Sequence, residues 1–239
     1  MAAPASGLLI LVPARGGSKG LPGKNARRLG DRPLLAWTAA QVAAAALPGR
    51  AVLSTDDPAL AEAGRAAGLE VPFLRPAEQA TDTAGMLEVV EHAVGALEAR
   101  DGAWVERVML LQPTCPFRSP ALLRGALDLL ERPGTEGVIG VTAIERSLSV
   151  MYREDNDGLL AALATWDDRT RRQDVRPLLT PNGTMYLVRR DALRAHRRLF
   201  PPRLRSVRTT RLEAIDIDTP DDWALAEAVV AAGLAAPCA

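Results

Sequence analysis

The sequence predicts an α/β fold, a mostly parallel sheet with helices on both faces. The continuous apolar run at residues 8–12, and the segment 107–111, which is apolar after Arg107, have the length and composition of buried parallel strands. Alanine-rich helical segments alternate with such runs over most of the chain. Because a helix that joins two parallel strands crosses one face of the sheet, repeated strand–helix–strand units predict helices on both faces.

The individual elements follow from local signals along the chain. Pro33 stands at the start of the first helix, and Thr219 with Pro220 has the pattern of an N-cap followed by proline. Helices are predicted at residues 33–46, 58–67, 83–100, 119–131 and 219–233. Strands are predicted at residues 8–12, 51–54, 107–111, 137–143, 184–189 and 214–217.

This alternation is interrupted at residues 145–181, which are charged and irregular. Asp155, Asn156, Asp157 and Gly158 predict a turn between two weak strands. The stretch is too long for a plain loop. We therefore interpret the chain as one domain, residues 1–239, in which residues 145–181 form an inserted arm or dimerisation subdomain.

The composition excludes several classes of protein. Hydrophobic residues make up 48% and charged residues 24%, which suits a globular domain with a buried core. Basic and acidic residues both number 29, so the chain has no overall attraction for nucleic acid or membranes. No apolar run approaches the roughly 18 residues of a membrane span, and residues 8–12 are too short for a signal-peptide core. Because only Cys115 and Cys238 occur, we expect no disulfide framework and a cytoplasmic location.

Residues 13–25, directly after the first predicted strand, form a glycine-rich loop that carries several cations. A loop in this position lies at the carboxyl end of a parallel strand, where such folds bind ligands. Glycines let backbone N–H groups approach an anion closely, so the loop predicts a triphosphate site. Its spacing matches neither the Walker A motif nor the G-x-G-x-x-G fingerprint. The residues concerned are Arg15, Gly16, Gly17, Ser18, Lys19, Gly20, Gly23 and Lys24.

Lys19 and Lys24 are the only lysines in a chain that is rich in arginine. The lysine ammonium is a compact, mobile point charge, whereas arginine presents a planar fork. The restriction of both lysines to one loop indicates a site that needs compact ammonium groups. Chance clustering is the alternative explanation.

Asp216 and Asp218 lie two residues apart near the C-terminus, between isoleucines that alternate with them. In an extended segment this spacing puts both carboxylates on one face. Neighbouring carboxylates repel unless a cation lies between them, and Mg²⁺ is commonly held by one or two carboxylates plus substrate phosphates. We therefore predict a magnesium site here. The alternative is that Asp218 or Thr219 only caps the last helix.

Other polar residues give weaker signals. Asp56 and Asp57 follow the second predicted strand and could contact a ribose, bind a second metal or simply begin the next helix. His92 and His196 lie in helical segments, where surface or core roles are expected. Cys115 lacks a neighbouring base in the sequence and is interpreted as a small loop residue.

Taken together, these segments resemble the acylneuraminate cytidylyltransferase family, which includes the CMP-sialic acid synthetases and is related to the CMP-Kdo synthetases. The matching segments occur in the family's order and span nearly the whole chain. They are residues 12–25, 54–57, 75–83, 111–118, 172–174, 181–186 and 216–219. The resemblance implies a Rossmann-like sheet with an inserted dimerisation element, and hence a homodimer.

The resemblance also implies an activity, in which the anomeric hydroxyl of an acidic sugar attacks the α-phosphorus of CTP and pyrophosphate leaves. Mg²⁺ would be held by Asp216 and Asp218, which would be catalytic together with Arg15 and Lys24. Nucleotide binding would involve Arg15, Gly17, Ser18, Lys19, Lys24, Asn25, Arg75, Thr81, Asp82 and Gln112. The acceptor pocket would be formed by Gln112, Arg172 (reaching in from the other subunit), Tyr186 and Phe200.

The chain departs from the family pattern mainly around the acceptor. Ser149 and Thr180 stand where sialic-acid-activating members carry a lysine and, in some, an arginine, and Cys115 replaces the usual serine. Another small acid, such as a phosphonate, is therefore an alternative acceptor. A sugar-phosphate nucleotidyltransferase that uses another nucleotide, and a non-catalytic nucleotide sensor or structural partner protein, are further alternatives.

Overall fold

The computed structural model describes residues 7–17, 20–81, 85–102, 104–144, 148–164 and 178–235. Ten strands are formed in this part of the chain. They are β1 (Leu8–Pro13), β2 (Arg28–Leu29), β3 (Arg32–Pro33), β4 (Gly49–Ser54), β5 (Arg107–Leu110), β6 (Gly137–Ile144), β7 (Tyr152–Glu154), β8 (Leu160–Ala162), β9 (Leu178–Arg189) and β10 (Leu204–Arg208). The α-helices are α1 (Leu34–Ala45), α2 (Pro58–Ala66), α3 (Met86–Asp101), α4 (Pro120–Leu130), α5 (Arg190–His196) and α6 (Pro220–Ala231).

Six strands form the central sheet, in the order β10-β6-β9-β5-β1-β4. β1 pairs parallel with both β4 and β5, and β10 pairs parallel with β6. β9 runs antiparallel to both of its neighbours, β5 and β6. The prediction of a mostly parallel sheet is therefore confirmed, with one antiparallel strand inserted between parallel pairs.

Side chains that alternate along β1 pack against helices on opposite faces of the sheet. Leu8 and Ile10 join a buried cluster with residues of α1 and α4. Leu9 and Leu11 join a second cluster with residues of α3 and α5. Because both faces of the strand are covered, its sequence is continuously apolar and does not alternate between apolar and polar residues.

The structure differs from the sequence-based prediction at several local points. The predicted strand at residues 214–217 is wrong: this segment joins no sheet, and Ile217 donates one backbone hydrogen bond to the Thr114 carbonyl, at 2.8 Å. The side chain of Ile217 is buried beside Trp37 and Trp223, which explains its apolar character without a strand. Neither α5, nor β10, nor the short hairpin of β2 and β3 was predicted. β10 carries Arg205, Ser206 and Arg208, which are exposed because it is an edge strand of the sheet.

The predicted turn within residues 145–181 is present. β7 and β8 pair antiparallel, and the amides of Asp157 and Leu159 each donate to Asp155 Oδ1, at 2.9 Å. Gly158 completes the turn with a positive φ of 81°. β9 begins at Leu178, inside the range predicted as an insertion. The dimerisation role of the insertion stays a prediction.

Within the described residues, no helix combines the length and the apolar character that crossing a bilayer would require.

Candidate active site

A cavity of about 530 Å³ lies at the carboxyl ends of β1 and β5. From β1 the chain passes through α1 to β4 on one side, whereas β5 lies on the other side. The order of the strands therefore reverses at β1, and α/β folds bind ligands in the crevice that such a reversal opens. Predicted site residues that line this cavity are Arg15, Lys24, Asn25, Arg75, Thr81, Gln112, Asp216 and Asp218.

Other predicted site residues lie elsewhere or outside the described part of the chain. Gly17 belongs to the loop but is not among the residues that line the cavity. Tyr186 and Phe200 form an edge-to-face ring pair with centroids 5.4 Å apart, and they do not line it either. Ser18, Lys19, Asp82 and Arg172 lie outside the described residues.

The glycine-rich loop is held against β4 and against the C-terminal aspartates. The Gly16 amide donates to Asp56 Oδ1, at 3.1 Å, and a side chain at position 16 would meet Asp57 Oδ2 within 2.8 Å. A side chain at position 20 would collide with the Asp218 carbonyl oxygen. Glycine at both positions therefore permits a close approach of the loop backbone to neighbouring carboxylates and carbonyls.

Lys24 connects this loop to the aspartate pair. Its Nζ donates to the Ile217 carbonyl, at 2.7 Å, and to Asp218 Oδ1, at 2.9 Å. The lysine side chain is almost fully buried, whereas the Asp218 side chain is 68% exposed. A small ammonium bridges the carbonyl and the carboxylate here, which agrees with the expectation that this position needs a compact cation.

Asp216 is the more enclosed carboxylate of the pair. Its Oδ1 is buried and has no hydrogen-bond partner among the described residues. Burial raises the pKa of this carboxyl, and the negative charge of Asp218 raises it further, while Thr114 and Lys24 oppose the shift. A carboxylate with an unsatisfied oxygen beside a cation-lined cavity is suited to accept a metal ion or a proton.

Thr219, and not Asp218, caps the last helix. The Thr219 hydroxyl accepts from the Asp222 amide, at 3.2 Å, and Asp222 Oδ2 accepts in return from the Thr219 amide, at 2.8 Å. This reciprocal pair is a capping box. Because the cap uses its neighbour, the Asp218 carboxylate remains directed to Lys24 and the cavity.

The donor set around the aspartates fits Mg²⁺. Asp216 and Asp218 both line the cavity and offer hard carboxylate oxygens, one of which is unsatisfied. Across the described part of the chain, no group of three or more histidine, cysteine or acidic side chains is arranged to hold a metal. Two carboxylates that leave further coordination positions to substrate phosphates and water is the usual arrangement for Mg²⁺.

Arg75 is a buried cation of the cavity wall. Its guanidinium lies 3.7 Å from Asp56 Oδ1, and its Nε has no hydrogen-bond partner among the described residues. Burial lowers the pKa of this guanidinium, and the charge of Asp56 opposes the shift. Because Arg75 lines the cavity, its positive charge would attract an anionic group of a ligand.

The two aspartates after β4 have different roles. Asp57 caps α2, accepting from the amides of Ala59, at 2.7 Å, and Leu60, at 3.3 Å. Asp56 instead holds both the loop, through the Gly16 amide, and Arg75. Of the alternatives open from the sequence, the helix start is therefore correct for Asp57 only.

Two residues of the site were not singled out from the sequence. Gly183 has a φ of +75°, and a side chain there would meet Asp216 Oδ2 within 2.9 Å and Gln112 Oε1 within 3.3 Å. Arg118 is fully buried and donates to the carbonyl of Thr184, the residue that follows Gly183, at 3.0 Å. The sequence signals for these residues are the Pro-Asn-Gly turn that contains Gly183 and the proline-containing loop that ends at Arg118. Neither signal indicates what Gly183 or Arg118 contacts.

Cys115 is buried beside these groups, and its Sγ lies 3.7 Å from the Asn182 carbonyl oxygen. Burial raises the pKa of this thiol to about 12, so it stays protonated at neutral pH. Tyr186 is half-buried, and burial raises the pKa of its phenol, while the negative charge of Asp216 raises it further. Neither group has the properties of an activated nucleophile.

Solved structures share this fold. CMP:2-keto-3-deoxy-manno-octonic acid synthetase complexed with CTP superposes with a TM-score of 0.68 at 18% identity, over 95% of this chain and 99% of that one. A cytidylyltransferase from Leptospira borgpetersenii superposes with a TM-score of 0.60 at 15% identity, over 94% of this chain and 87% of that one. At these identities the likeness establishes the fold.

Related sequences establish the family. The chain is 32% identical to CMP-N,N'-diacetyllegionaminic acid synthase of Legionella pneumophila, over 92% of this chain and 94% of that protein. It is 24% identical to pseudaminic acid cytidylyltransferase of Campylobacter jejuni, over 92% and 94% of the two chains. It is 25% identical to N-acylneuraminate cytidylyltransferase of Streptococcus agalactiae, over 90% of this chain and 51% of that protein. Residues 9–215 match the family model described as cytidylyltransferase, and the chain, a nucleotidyltransferase enzyme, belongs to the cytidylyltransferase family.

Proposed function

We propose that this enzyme transfers CMP from CTP to the anomeric hydroxyl of a nonulosonic, sialic-acid-like sugar and releases pyrophosphate. One observation carries the proposal: Lys24 of the glycine-rich loop contacts Asp218 in the same cavity that Asp216 lines. A loop suited to a triphosphate and a carboxylate pair suited to Mg²⁺ therefore act on one ligand. The names of the relatives support a nonulosonic acid as acceptor.

The cavity offers separate surfaces for the parts of CTP. Arg15, Lys24 and Arg75 supply positive charge for the phosphates. Met86 and Val89 supply apolar surface for the base. Orientation of the triphosphate by fixed cations lets the acceptor hydroxyl meet the α-phosphorus in line with the departing pyrophosphate.

The chemical step forms one bond from the acceptor oxygen to the α-phosphorus and breaks the bond from that phosphorus to the pyrophosphate oxygen. Asp216 is suited to accept the hydroxyl proton because it is partly desolvated and one of its oxygens is unsatisfied. Lys24 stabilises negative charge that develops on the phosphate oxygens. Mg²⁺, when bound by Asp216 and Asp218, supplies additional positive charge to the same oxygens.

We propose that the acceptor side consists of Gln112, Tyr186, Phe200 and Arg172. Gln112 lines the cavity beside Asp216, so it is suited to contact nucleotide and sugar at once. Legionaminic acids are the first acceptors to test, because the relative named for one shares 32% identity over nearly the full length of both chains.

The activity test incubates the protein with CTP, MgCl₂ and a panel of acids, and measures the pyrophosphate released. Release that depends on a nonulosonic acid, and that EDTA abolishes, is the expected result. Reactions without an acid measure background hydrolysis. If only a phosphonate or another small acid supports release, the acceptor assignment is wrong. If UTP or GTP outperforms CTP, the nucleotide assignment is wrong.

We also propose that the enzyme is a homodimer in the cytoplasm. The hairpin of β7 and β8 presents Leu159 and Leu160, which are 68% and 64% exposed, together with an exposed Tyr152. Large apolar side chains grouped on a two-stranded arm are suited to bury themselves against a second copy. The free, buried thiol of Cys115 suits a reducing compartment.

A further inference from the structure

Arg118 is a buried cation that joins three segments around the cavity. Only 1% of its surface is exposed. Its NH1 donates to Thr38 Oγ1, at 3.0 Å, and to Gln41 Oε1, at 3.1 Å, both on α1. Its Nε donates to the Thr184 carbonyl, at 3.0 Å, and its NH2 donates to the Gln112 carbonyl. One side chain thereby fixes the loop after β5 and the bend of β9 to the same helix.

Both of the carbonyls that Arg118 holds belong to segments that converge on Asp216. The position that a Gly183 side chain would occupy lies 2.9 Å from Asp216 Oδ2 and 3.3 Å from Gln112 Oε1. The Arg118 guanidinium donates to the main-chain carbonyl of Gln112 and to that of Thr184, the residue that follows Gly183. Arg118 therefore helps to set the positions of Gln112 and of the Gly183 bend relative to each other, beside Asp216.

Stability alone does not account for this arginine. No ion pair within the described part of the chain includes Arg118, although Asp216 lies close enough to interact with its charge. Burying a charge without a paired carboxylate is costly, and apolar side chains of similar volume often stabilise such positions more. What an apolar side chain does not provide is simultaneous hydrogen bonding to two carbonyls and two α1 side chains.

We infer that Arg118 is a positioning residue for the acceptor side of the active site, holding Gln112 and the Gly183 bend at the distance from Asp216 that the transfer step requires. The inference rests on the proposed CMP transfer and adds a residue that does not touch substrate. Displacement of a reacting group by about 1 Å costs on the order of 100-fold in rate. Loss of the hydrogen bonds from Arg118, which we call the Arg118 clamp, should therefore lower turnover and weaken acceptor binding more than CTP binding.

The test compares Arg118→Lys with Thr135→Val. Lysine keeps the charge but lacks the fork that reaches both carbonyls. Valine at position 135 removes the hydrogen bond that the buried Thr135 hydroxyl accepts from Arg205 Nε, at 2.8 Å, and Thr135 does not line the cavity. We expect Arg118→Lys to lower kcat about 10-fold to 100-fold and to raise KM for the acceptor, with KM for CTP changed less than about threefold. We expect Thr135→Val to lower Tm with kcat per folded enzyme close to that of the wild type.

Hydrogen exchange supplies a readout that does not depend on activity. In Arg118→Lys we expect faster amide exchange in peptides covering residues 111–118 and 181–186, and unchanged exchange in residues 8–17. If exchange in residues 111–118 and 181–186 is the same in Arg118→Lys as in the wild type, the inference is overturned. It is also overturned if exchange is accelerated equally throughout the chain. An active wild type whose kcat survives Arg118→Lys also overturns it. A wild type without CMP transfer overturns the proposed function instead, and the exchange pattern still decides whether Arg118 is a clamp.

Discussion

Asp216 and Asp218 lie two residues apart, yet their surroundings differ. Asp216 is enclosed, with a raised pKa and an unsatisfied oxygen. Asp218 is largely exposed and is paired with the Lys24 ammonium. We therefore assign them unequal parts within the proposed site: Asp216 faces the reacting atoms, and Asp218 anchors the loop lysine while contributing to metal binding.

Asp216→Asn is expected to abolish turnover and to stabilise the fold. The folded state holds the pKa of Asp216 above its unfolded value, so the ionised carboxylate disfavours folding above that pKa and has no such effect below the unfolded pKa. The stability gain of the asparagine variant should therefore be largest near pH 8 and vanish toward acidic pH. Urea unfolding in EDTA at several pH values measures it.

Asp218→Asn is the matched control for that experiment. This carboxylate is mostly exposed and gains the Lys24 ammonium as a partner, so its neutralisation should not stabilise the fold. Turnover should fall by orders of magnitude in both variants, with CTP still bound. Turnover that survives both substitutions would mean that the metal assignment is wrong.

Lys24→Ala is expected to damage the chemical step more than CTP binding. It removes a buried ammonium that contacts the Ile217 carbonyl and Asp218, and we expect kcat to fall about 100-fold. Arg27→Ala is the control, since Arg27 is an exposed cation that stacks on Trp223 and does not line the cavity. Single-turnover rates and CTP titration separate the two effects; equal kinetics in both variants would remove any special role for Lys24.

β9 is the element that brings Gly183 against two residues of the cavity wall, Asp216 and Gln112. Its register with β6 shifts between Ile139 and Val141, where the strand bends at its Pro-Asn-Gly segment. Asn182 Nδ2 secures the bend by donating to Thr142 Oγ1, at 2.8 Å, and to Thr209 Oγ1, at 2.7 Å. The bend brings Gly183 against Asp216, as a regular strand would not.

Gly183→Ala tests this bend against Gly68→Ala. Both glycines have positive φ, so each alanine costs about 1–2 kcal/mol in backbone strain. A side chain at position 68 meets nothing within 4 Å, whereas one at position 183 meets Asp216 and Gln112. We expect similar losses of Tm and a loss of turnover in Gly183→Ala only. Comparable turnover in the two variants would contradict the assigned geometry.

The elements themselves show how far local sequence patterns reach. The buried strands β1 and β5 and the helices α1 to α4 were predicted from local signals: continuous apolar residues in the strands, and helix-forming and helix-start residues such as Pro33 in the helices. β10 was missed because Arg205, Ser206 and Arg208 make most of this strand polar, as in a solvated segment. Residues 214–217 were assigned wrongly because Ile217 is buried against helices and not within a sheet. An apolar pattern indicates that a segment is buried, but the segment can be buried against helices as well as within a sheet.

In the molecule as a whole, the helices cover both faces of the sheet while the hairpin of β7 and β8 carries exposed apolar side chains. These residues have no buried apolar partner to account for them within the hairpin, since β7 and β8 are exposed along their whole length. The contrast supports the proposed dimer contact.

Leu160→Asp is expected to weaken that contact. A charge in a buried apolar interface is strongly unfavourable, so the variant should shift toward the monomer while Tm at low concentration changes little. Light scattering after gel filtration measures the mass of each form. Leu225→Asp, on the exposed face of α6, is the control. A wild type that is monomeric at all concentrations, or a variant that stays dimeric, would contradict the proposed interface.

The sequence by itself determined the α/β class, the glycine-rich loop with its two lysines, and the paired aspartates. Each of these is a local pattern, set by burial on both faces of a strand or by residue types that one ligand chemistry requires. Only the tertiary structure decided that Lys24 meets Asp218, 194 positions away, that Asp56 holds the loop and Arg75, and that Arg118 clamps Gln112 and β9. These contacts join distant parts of the chain because the order and direction of strands in the sheet bring them together, and no local periodicity encodes that order.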